Sequence, residues 1–264
     1  VPQHDFSTNS NACGPCPDAL SALQQADAAH YPDPAYAALR ERLGGFHGVE
    51  AGRIVIAGSA SECIHRITAL AVRRGARTVS LPEHAYGDYA RAAHAWDLAL
   101  VQGAADSAAP GLQWACEPSS PLGRADDALA GWARAGPAAP GLRVLDCAYV
   151  PLRLDGQAPT LPGAAWQLWT PNKALGLTGV RAAYAIAPAG GPAADVAALQ
   201  ALAPSWPVGA HGVALLQAWT EPATQRWLAQ CLPTLRAWKA RQQALCESLG
   251  WAVLPGSLAN YFVE

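Results

Sequence analysis

Lys173 is one of only two lysines in a chain that carries 16 arginines, so this amine is kept where guanidinium would serve any ordinary solvated charge. It lies in Trp169-Thr-Pro-Asn-Lys-Ala-Leu-Gly-Leu-Thr-Gly-Val180, an apolar and glycine-rich setting. Burial there lowers the pKa of an amine and leaves a nucleophile that arginine can never supply. Arg181 follows, with Gly176 and Gly179 between. An amine and a guanidinium so spaced can hold one ligand at both an aldehyde carbon and a phosphate. Three further segments carry complementary chemistry. Gly58-Ser-Ala-Ser-Glu62 places small residues at a helix N-terminus, which is either an anion site or an ordinary cap. Val144-Leu-Asp-Cys-Ala-Tyr149 sets an acid at a strand end and a phenol three residues on. That acid can pair with a ring N–H or cap the next turn, and the phenol can bond a ring oxygen. Pro82-Glu-His-Ala-Tyr86-Gly-Asp-Tyr89 offers an aromatic face to a planar ligand, or a packed core tyrosine. Lys239, between Arg236 and Arg241 on a long helical pattern, reads as a surface cation.

The elements that must position these residues alternate. Residues 1–35 are turn-rich and form an arm with a short helix after Pro17. Strand-like runs follow at Arg53–Ala57, Thr78–Leu81, Leu98–Gln102, Gln113–Cys116, Val144–Asp146, Gln167–Trp169 and Ala182–Ile186. Between the first two, Ser59 opens a helix that carries Ile64, Ile67 and Leu70 at helical spacing and ends near Gly75. Strands separated by helices imply a mostly parallel sheet covered on both faces, with ligands at the carboxyl ends of its strands. The expected fold is α/β, with a large domain over 36–220 built on a seven-stranded type of sheet between helices. A smaller α/β domain begins at 221 and is incomplete. Its helix runs from about Glu221 to Gly250, interrupted at Pro233, into strand beginnings at Trp251–Leu254 and Asn260–Val263. An Ala/Gly/Pro-rich loop surrounds residues 135–141.

The 264 residues are 51% hydrophobic and 14% charged, with net charge −2. That balance, without a basic block, points away from nucleic acid and membrane surfaces and towards a small neutral or anionic metabolite. No signal peptide or membrane span is legible, and seven scattered cysteines suit a reducing compartment, so a cytoplasmic protein is expected. The histidines have no metal-binding spacing. The absence of methionine and the stop within a strand-like run suggest that the native polypeptide is longer, with roughly 60–90 further residues expected to finish the small domain.

Taken in order, these segments resemble the fold-type I pyridoxal-phosphate enzymes of aminotransferase class I/II, in the branch of histidinol-phosphate aminotransferase and threonine-phosphate decarboxylase. The resemblance runs from Asp5-Phe-Ser-Thr-Asn-Ser-Asn11 and Gly14-Pro15 through His30-Tyr-Pro-Asp33 to Asn260-Tyr-Phe262, and is most specific over Asn172-Lys-Ala-Leu-Gly-Leu-Thr-Gly-Val-Arg181. It implies a homodimeric enzyme with pyridoxal 5'-phosphate on Lys173 as a Schiff base. Asp146 would be the pyridinium partner, Tyr149 the ring-oxygen partner, and Tyr86 the residue stacked on the ring. It further implies phosphate binding by Ala60, Ser61, Thr170, Asn172 and Arg181, with Tyr31 reaching in from the other subunit. The implied substrates are a small-molecule amino donor, an amino acid or amino-alcohol phosphate, and a 2-oxo acid. Freed Lys173 would move the Cα proton.

The departures from the family pattern are specific. Ser120-Pro-Leu-Gly123 stands where Asn-Pro-Thr-Gly is usual, so the ring-oxygen contact of that asparagine is water-bridged or lost. Cys147 replaces an acid after Asp146, and Cys13 stands where histidinol-phosphate aminotransferases tend to place a substrate-facing tyrosine. The family's substrate-carboxylate arginine lies beyond Asn260-Tyr-Phe262. Cys13 leans towards a decarboxylase or a transaminase of different specificity, but amino transfer, the commoner chemistry among proteins with this lysine segment, is the first expectation and decarboxylation of a phosphorylated amino acid the second. Ser120 and the missing arginine motivate a rival of another class, a catalytically weak cofactor-binding protein. Cys13-Gly-Pro-Cys16 has the spacing of a thioredoxin-type pair, but it follows no buried strand and meets Pro17, so a redox role is the lesser reading.

Overall fold

The computed structural model describes residues 7–102, 111–135 and 141–264. Asp5, Phe6 and the centre of the loop at 136–140 lie outside the described residues. Among those described, seven strands form one sheet: β1 (Ile54–Ala57), β2 (Thr78–Leu81), β3 (Ala99–Gln102), β4 (Leu112–Cys116), β5 (Leu142–Asp146), β6 (Trp166–Trp169) and β7 (Ala183–Ile186). Their order is β1-β7-β6-β5-β4-β2-β3, and β7 is the one antiparallel member, paired against β1 and β6. Every other pairing is parallel. β1, β5 and β7 are buried along their whole length. This is why β1 and β7 read as unbroken apolar runs rather than as alternating ones.

Eight α-helices accompany the sheet among the described residues: α1 (Pro17–Gln24), α2 (Ala37–His47), α3 (Ala60–Arg73), α4 (Gly87–Ala95), α5 (Asp127–Ala135), α6 (Ala193–Ala201), α7 (Ala210–Trp219) and α8 (Pro222–Ser248). Two buried apolar clusters lie on the two faces. One contains Leu43, Ile56, Leu145, Tyr184, Leu215 and Leu235, and the other Val55, Ile67, Val79, Trp114, Val144 and Leu168. No described helix is long and apolar enough to cross a membrane.

Three expectations need correction. Pro233 does not interrupt α8, which runs through it unbroken. A proline inside a helix removes one backbone hydrogen bond and costs about 3 kcal/mol. Leu228, Cys231 and Leu235, buried on either side of it, supply the packing that offsets this cost. Trp251–Leu254 and Asn260–Val263 are not strands; they share one backbone bond, Leu254 N–H to Val263 O at 2.8 Å. The intervening chain is instead held by loops: Leu258 N–H donates to Gly123 O and Leu154 N–H donates to Leu258 O, both at 2.7 Å. Lys239 is no surface cation. It is 7% exposed, and its ammonium lies 2.6 Å from Ser257 O and 2.8 Å from Ala259 O. The segment that returns over α8 buries what helical periodicity alone assigns to solvent.

His47, at the end of α2, meets the Tyr184 hydroxyl of β7 at 2.7 Å, and Trp219 Nε1 donates to the same oxygen at 3.1 Å. Burial depresses the imidazole from 6.5 to about 4. A folded pKa below the unfolded value means that the stabilising effect is complete above pH 6.5 and is lost as pH falls towards 4. The shift corresponds to about 3 kcal/mol. Denaturant melts should therefore show the native protein losing stability between pH 7 and 4.5. His47→Gln, which can still bond Tyr184, should lose roughly 2 kcal/mol less over that range. Parallel losses in the two proteins would place the acid sensitivity elsewhere.

Candidate functional site

The carboxyl ends of β1, β4, β5 and β6 open on one cavity of about 190 Å³, whose lining includes Ser59, Ala60, Ser61, Tyr86, Cys116, Ser120, Asp146, Tyr149, Thr170, Asn172, Lys173 and Arg181. The fold thus gathers at one point every sequence-predicted site residue except Tyr31. These segments are far apart in the chain and meet because parallel strands deliver their ends to the same edge.

The lysine turn is rigidly held. Leu175 N–H donates to Pro171 O at 2.9 Å and Leu177 N–H to Asn172 O at 2.8 Å. The arm clasps it from outside: Asn11 N–H donates to Lys173 O at 2.9 Å, Asn11 Nδ2 to Ala174 O at 3.0 Å, and Cys16 N–H to Leu175 O at 2.8 Å. Gly176 has φ +67°, and a Cβ there would lie 2.4 Å from Gly14 O, so this close crossing requires glycine on the turn. Cys13 and Cys16 are both free thiols, and Cys16 is buried at the head of α1. Burial, then the neighbouring Cys231, pushes the Cys13 thiol up to about 11. Cys16 belongs to the buried apolar cluster and Cys13 packs against it, and neither lines the cavity.

Lys173 Nζ donates to the Tyr149 hydroxyl at 2.8 Å and lies 4.3 Å from the centre of that ring. The amine departs from the sequence expectation. Burial by itself would lower its pKa, but the Tyr149 hydroxyl, Asp146 and Cys116 together outweigh burial and hold it above the ordinary lysine value. A cation is thus stabilised at this point.

Asp146, 4% exposed at the end of β5, realises both readings of its segment. Its Oδ1 accepts from Ala148 N–H at 2.9 Å, which caps the turn, and its Oδ2 accepts from the Tyr89 hydroxyl at 2.7 Å. Burial raises its pKa despite those bonds and despite Lys173. A carboxylate in that condition gains from a further cationic or N–H partner. Tyr89 is the Asp146 contact that the sequence reading left unassigned. It is fully buried in α4 and stacked on Trp114 at 4.5 Å, one helical turn beyond Tyr86. The available signal was its place in the same aromatic segment. Tyr86, by contrast, is no core residue: it is partly exposed on the cavity wall, with its hydroxyl 3.0 Å from Asp88.

The opposite end of the cavity gathers donor groups and a positive charge. Ser59 caps α3, its Oγ accepting from Glu62 N–H at 3.1 Å, and Arg181 Nη2 donates to the same oxygen at 2.6 Å. The first residues of α3, Ala60 and Ser61, face the cavity beside that guanidinium, so helix-terminal N–H groups, hydroxyls and a positive charge converge. Thr170 Oγ1 bonds Asn172 Oδ1 at 2.9 Å and Ala182 O at 3.1 Å, fixing both side chains at the cavity rim. Ser59 and Thr178 are lining residues that the sequence reading did not assign individually. Tyr31 is elsewhere: it is 76% exposed and stacked on Trp206 at 4.4 Å.

No protein-family model matches the chain, and no curated protein matches it. Solved structures do. Histidinol-phosphate aminotransferase from Sinorhizobium meliloti, in complex with pyridoxal-5'-phosphate, superposes with a TM-score of 0.79 at 24% identity over 95% of this chain and 72% of that one. N-succinyldiaminopimelate aminotransferase from Mycobacterium tuberculosis gives 0.76 at 21% over 95% and 73%. L-threonine-O-3-phosphate decarboxylase from Porphyromonas gingivalis gives 0.67 at 18% over 88% and 75%. The likeness establishes the fold: this chain has the α/β architecture shared by those aminotransferases and that decarboxylase.

Proposed function

We propose that the chain carries pyridoxal 5'-phosphate on Lys173 and transfers an amino group between an amino acid or amino-alcohol phosphate and a 2-oxo acid. The observation that carries this reading is a matched set of groups in one cavity: an amine, a buried carboxylate of raised pKa and an anion-seeking end. Aldehyde, ring N–H and phosphate are the three features of the cofactor that such groups would bind. The fold shared with a histidinol-phosphate aminotransferase that binds this cofactor supports the same reading.

Lys173 Nζ would hold the aldehyde carbon. Arg181, Ser59, Ser61 and the head of α3 would hold the phosphate, with Ala60, Thr170 and Asn172 completing that end. Tyr86 would cover the ring face, and Ser120 would stand near the ring oxygen. When bound, the cofactor supplies an electron-accepting ring for the pair released by a breaking bond at the substrate's α-carbon. Asp146 would keep the ring nitrogen protonated, and Tyr89 and the Ala148 N–H hold Asp146 in place. Pairing with that ring N–H would also neutralise one of the groups that hold the Lys173 amine protonated. Once displaced by the substrate's amine, Lys173 can then take a proton from the α-carbon and return it, with the Tyr149 hydroxyl orienting Nζ.

A homodimer in which the exposed Tyr31 completes the partner's phosphate site accompanies this reading. So does a division into arm (1–35), cofactor domain (36–220) and the start of a smaller domain (221–264). The seven free thiols suit a reducing compartment such as the cytoplasm.

The test uses the scarcity of lysine. Borohydride reduction of the cofactor-loaded protein should fix a phosphopyridoxyl group on Lys173, read by peptide mapping. Label on Lys239, or none, would sink the proposal. Donor panels with 2-oxoglutarate should then yield glutamate. Carbon dioxide from threonine phosphate without glutamate would instead indicate the decarboxylase, and labelling without any turnover a cofactor-binding protein.

A further inference from the structure

Both lysines retained among the arginines are engaged. Lys239 Nζ donates to Ser257 O at 2.6 Å, Ala259 O at 2.8 Å and Ser257 Oγ at 3.2 Å, with Asp155 Oδ2 at 3.7 Å. Three oxygens of one short segment thus converge on a compact ammonium. A planar guanidinium presents its donors in a fixed fork and cannot match them.

The segment so gathered, residues 255–261, lies between α8 and the loop that carries Ser120. Arg124 Nε donates to Pro255 O at 2.9 Å, and Asn260 Nδ2 reaches the arm at Ser10 O, 3.1 Å away. Ser257 Oγ, the hydroxyl beside the Lys239 ammonium, in turn donates to Tyr261 O. Tyr261 is buried. Its hydroxyl donates to Ser119 O at 2.7 Å, and its ring packs edge-on against Tyr149 at 4.8 Å. Tyr149 is the hydrogen-bond partner of Lys173.

We propose that Lys239 is a positioning residue for Lys173: its ammonium gathers segment 255–261 so that Tyr261 presses Tyr149 into contact with the amine. This deepens the pyridoxal-phosphate reading, and rests on it for what the amine is for, but the coupling itself belongs to the protein alone. The groups facing Lys173 are Tyr149 after β5, Asp146 at the end of β5, Cys116 at the end of β4, Tyr86 before α4 and Arg181 before β7. Of these, Tyr149 is the one that Tyr261 touches. Loosening the segment should weaken the Tyr149 contact that helps to hold the Lys173 proton.

The test reads the Lys173 amine directly. Biosynthetic incorporation of ¹³Cε-lysine into the full chain, examined before cofactor is added, labels two lysine side chains without altering either ammonium, and Lys239→Met leaves one, which assigns the Lys173 signal. In Lys239→Met the titration midpoint of Lys173 should fall by about one pH unit, a tenfold change in its protonation equilibrium. Lys239→Arg should behave like the methionine variant, because charge without the compact ammonium does not rebuild the cluster. Tyr261→Leu should reproduce the fall without disturbing Lys239, and Tyr261→Phe, which keeps the ring contact, should titrate like the native protein. A folded Lys239→Met with an unmoved Lys173 overturns the proposal. Should that variant fail to fold, an unmoved Lys173 in Tyr261→Leu overturns it equally. Failure of borohydride labelling in the native protein would remove the cofactor reading while leaving the measured coupling intact.

Discussion

Lys173→Ala is expected to leave a folded protein that takes up no borohydride-fixed cofactor and turns over donor substrates slower by on the order of 10²–10⁴, the span set by losing a positioned proton-transfer group. Loss of the covalent anchor acts on top of that. Lys173→Arg separates the two properties of the side chain, since it keeps a cation beside Tyr149 and Asp146 but has no amine to give. It should be as inactive as the alanine variant. The measurement is initial rate with saturating cofactor, alongside thermal melts. A Lys173→Arg protein within tenfold of native turnover would show that positive charge, not nucleophilicity, is what the cavity uses. The arm makes the fold's tolerance plausible: its bonds to this turn fall on the carbonyls of Lys173, Ala174 and Leu175, which survive replacement of the side chain.

What the sequence made legible follows from where its information is local. All seven strands were readable because short apolar runs between turn residues carry their own burial signal, and the site followed because strand ends carry the residues of special type. The head of α3 was readable as well, since Ser59 and Glu62 form a cap whose spacing is visible in the chain. The misreadings all depend on contacts between distant segments. Lys239 looks solvated on a helix flanked by Arg236 and Arg241, and only the return of residues 255–261 buries it. The lower pKa expected for Lys173 assumed burial alone. Tyr149 and Asp146, brought in from another strand end, reverse its sign. Pro233 breaks helices by its local rule, yet the apolar face around it is packed well enough for α8 to continue. Tyr89 was visible as an aromatic, but its partner Asp146 lies 57 positions away.

Asp146→Asn offers the sharpest separation of function from stability. Asparagine keeps the shape of aspartate: its Oδ1 can accept from the Ala148 N–H, and its amide can donate to a reoriented Tyr89 hydroxyl. What it loses is the negative charge. Burial raises the pKa of the native carboxyl above its ordinary value of 3.8. An acid whose folded pKa is raised is destabilising once ionised: the penalty is absent below pH 3.8 and complete above the folded pKa. At neutral pH the cofactor-free variant should therefore melt higher than the native protein, and the difference should vanish as pH falls below 4. Turnover should move the other way. Without a charge to keep the ring nitrogen protonated, about 3–4 kcal/mol of transition-state stabilisation is lost, or roughly 10²–10³ in rate. Borohydride should still label Lys173, because the anchor does not depend on the carboxylate. A group whose removal strengthens the empty fold and disables the loaded one is retained for chemistry rather than for folding. An Asp146→Asn protein that melts lower at pH 7 and works normally would make Asp146 a turn cap and nothing more.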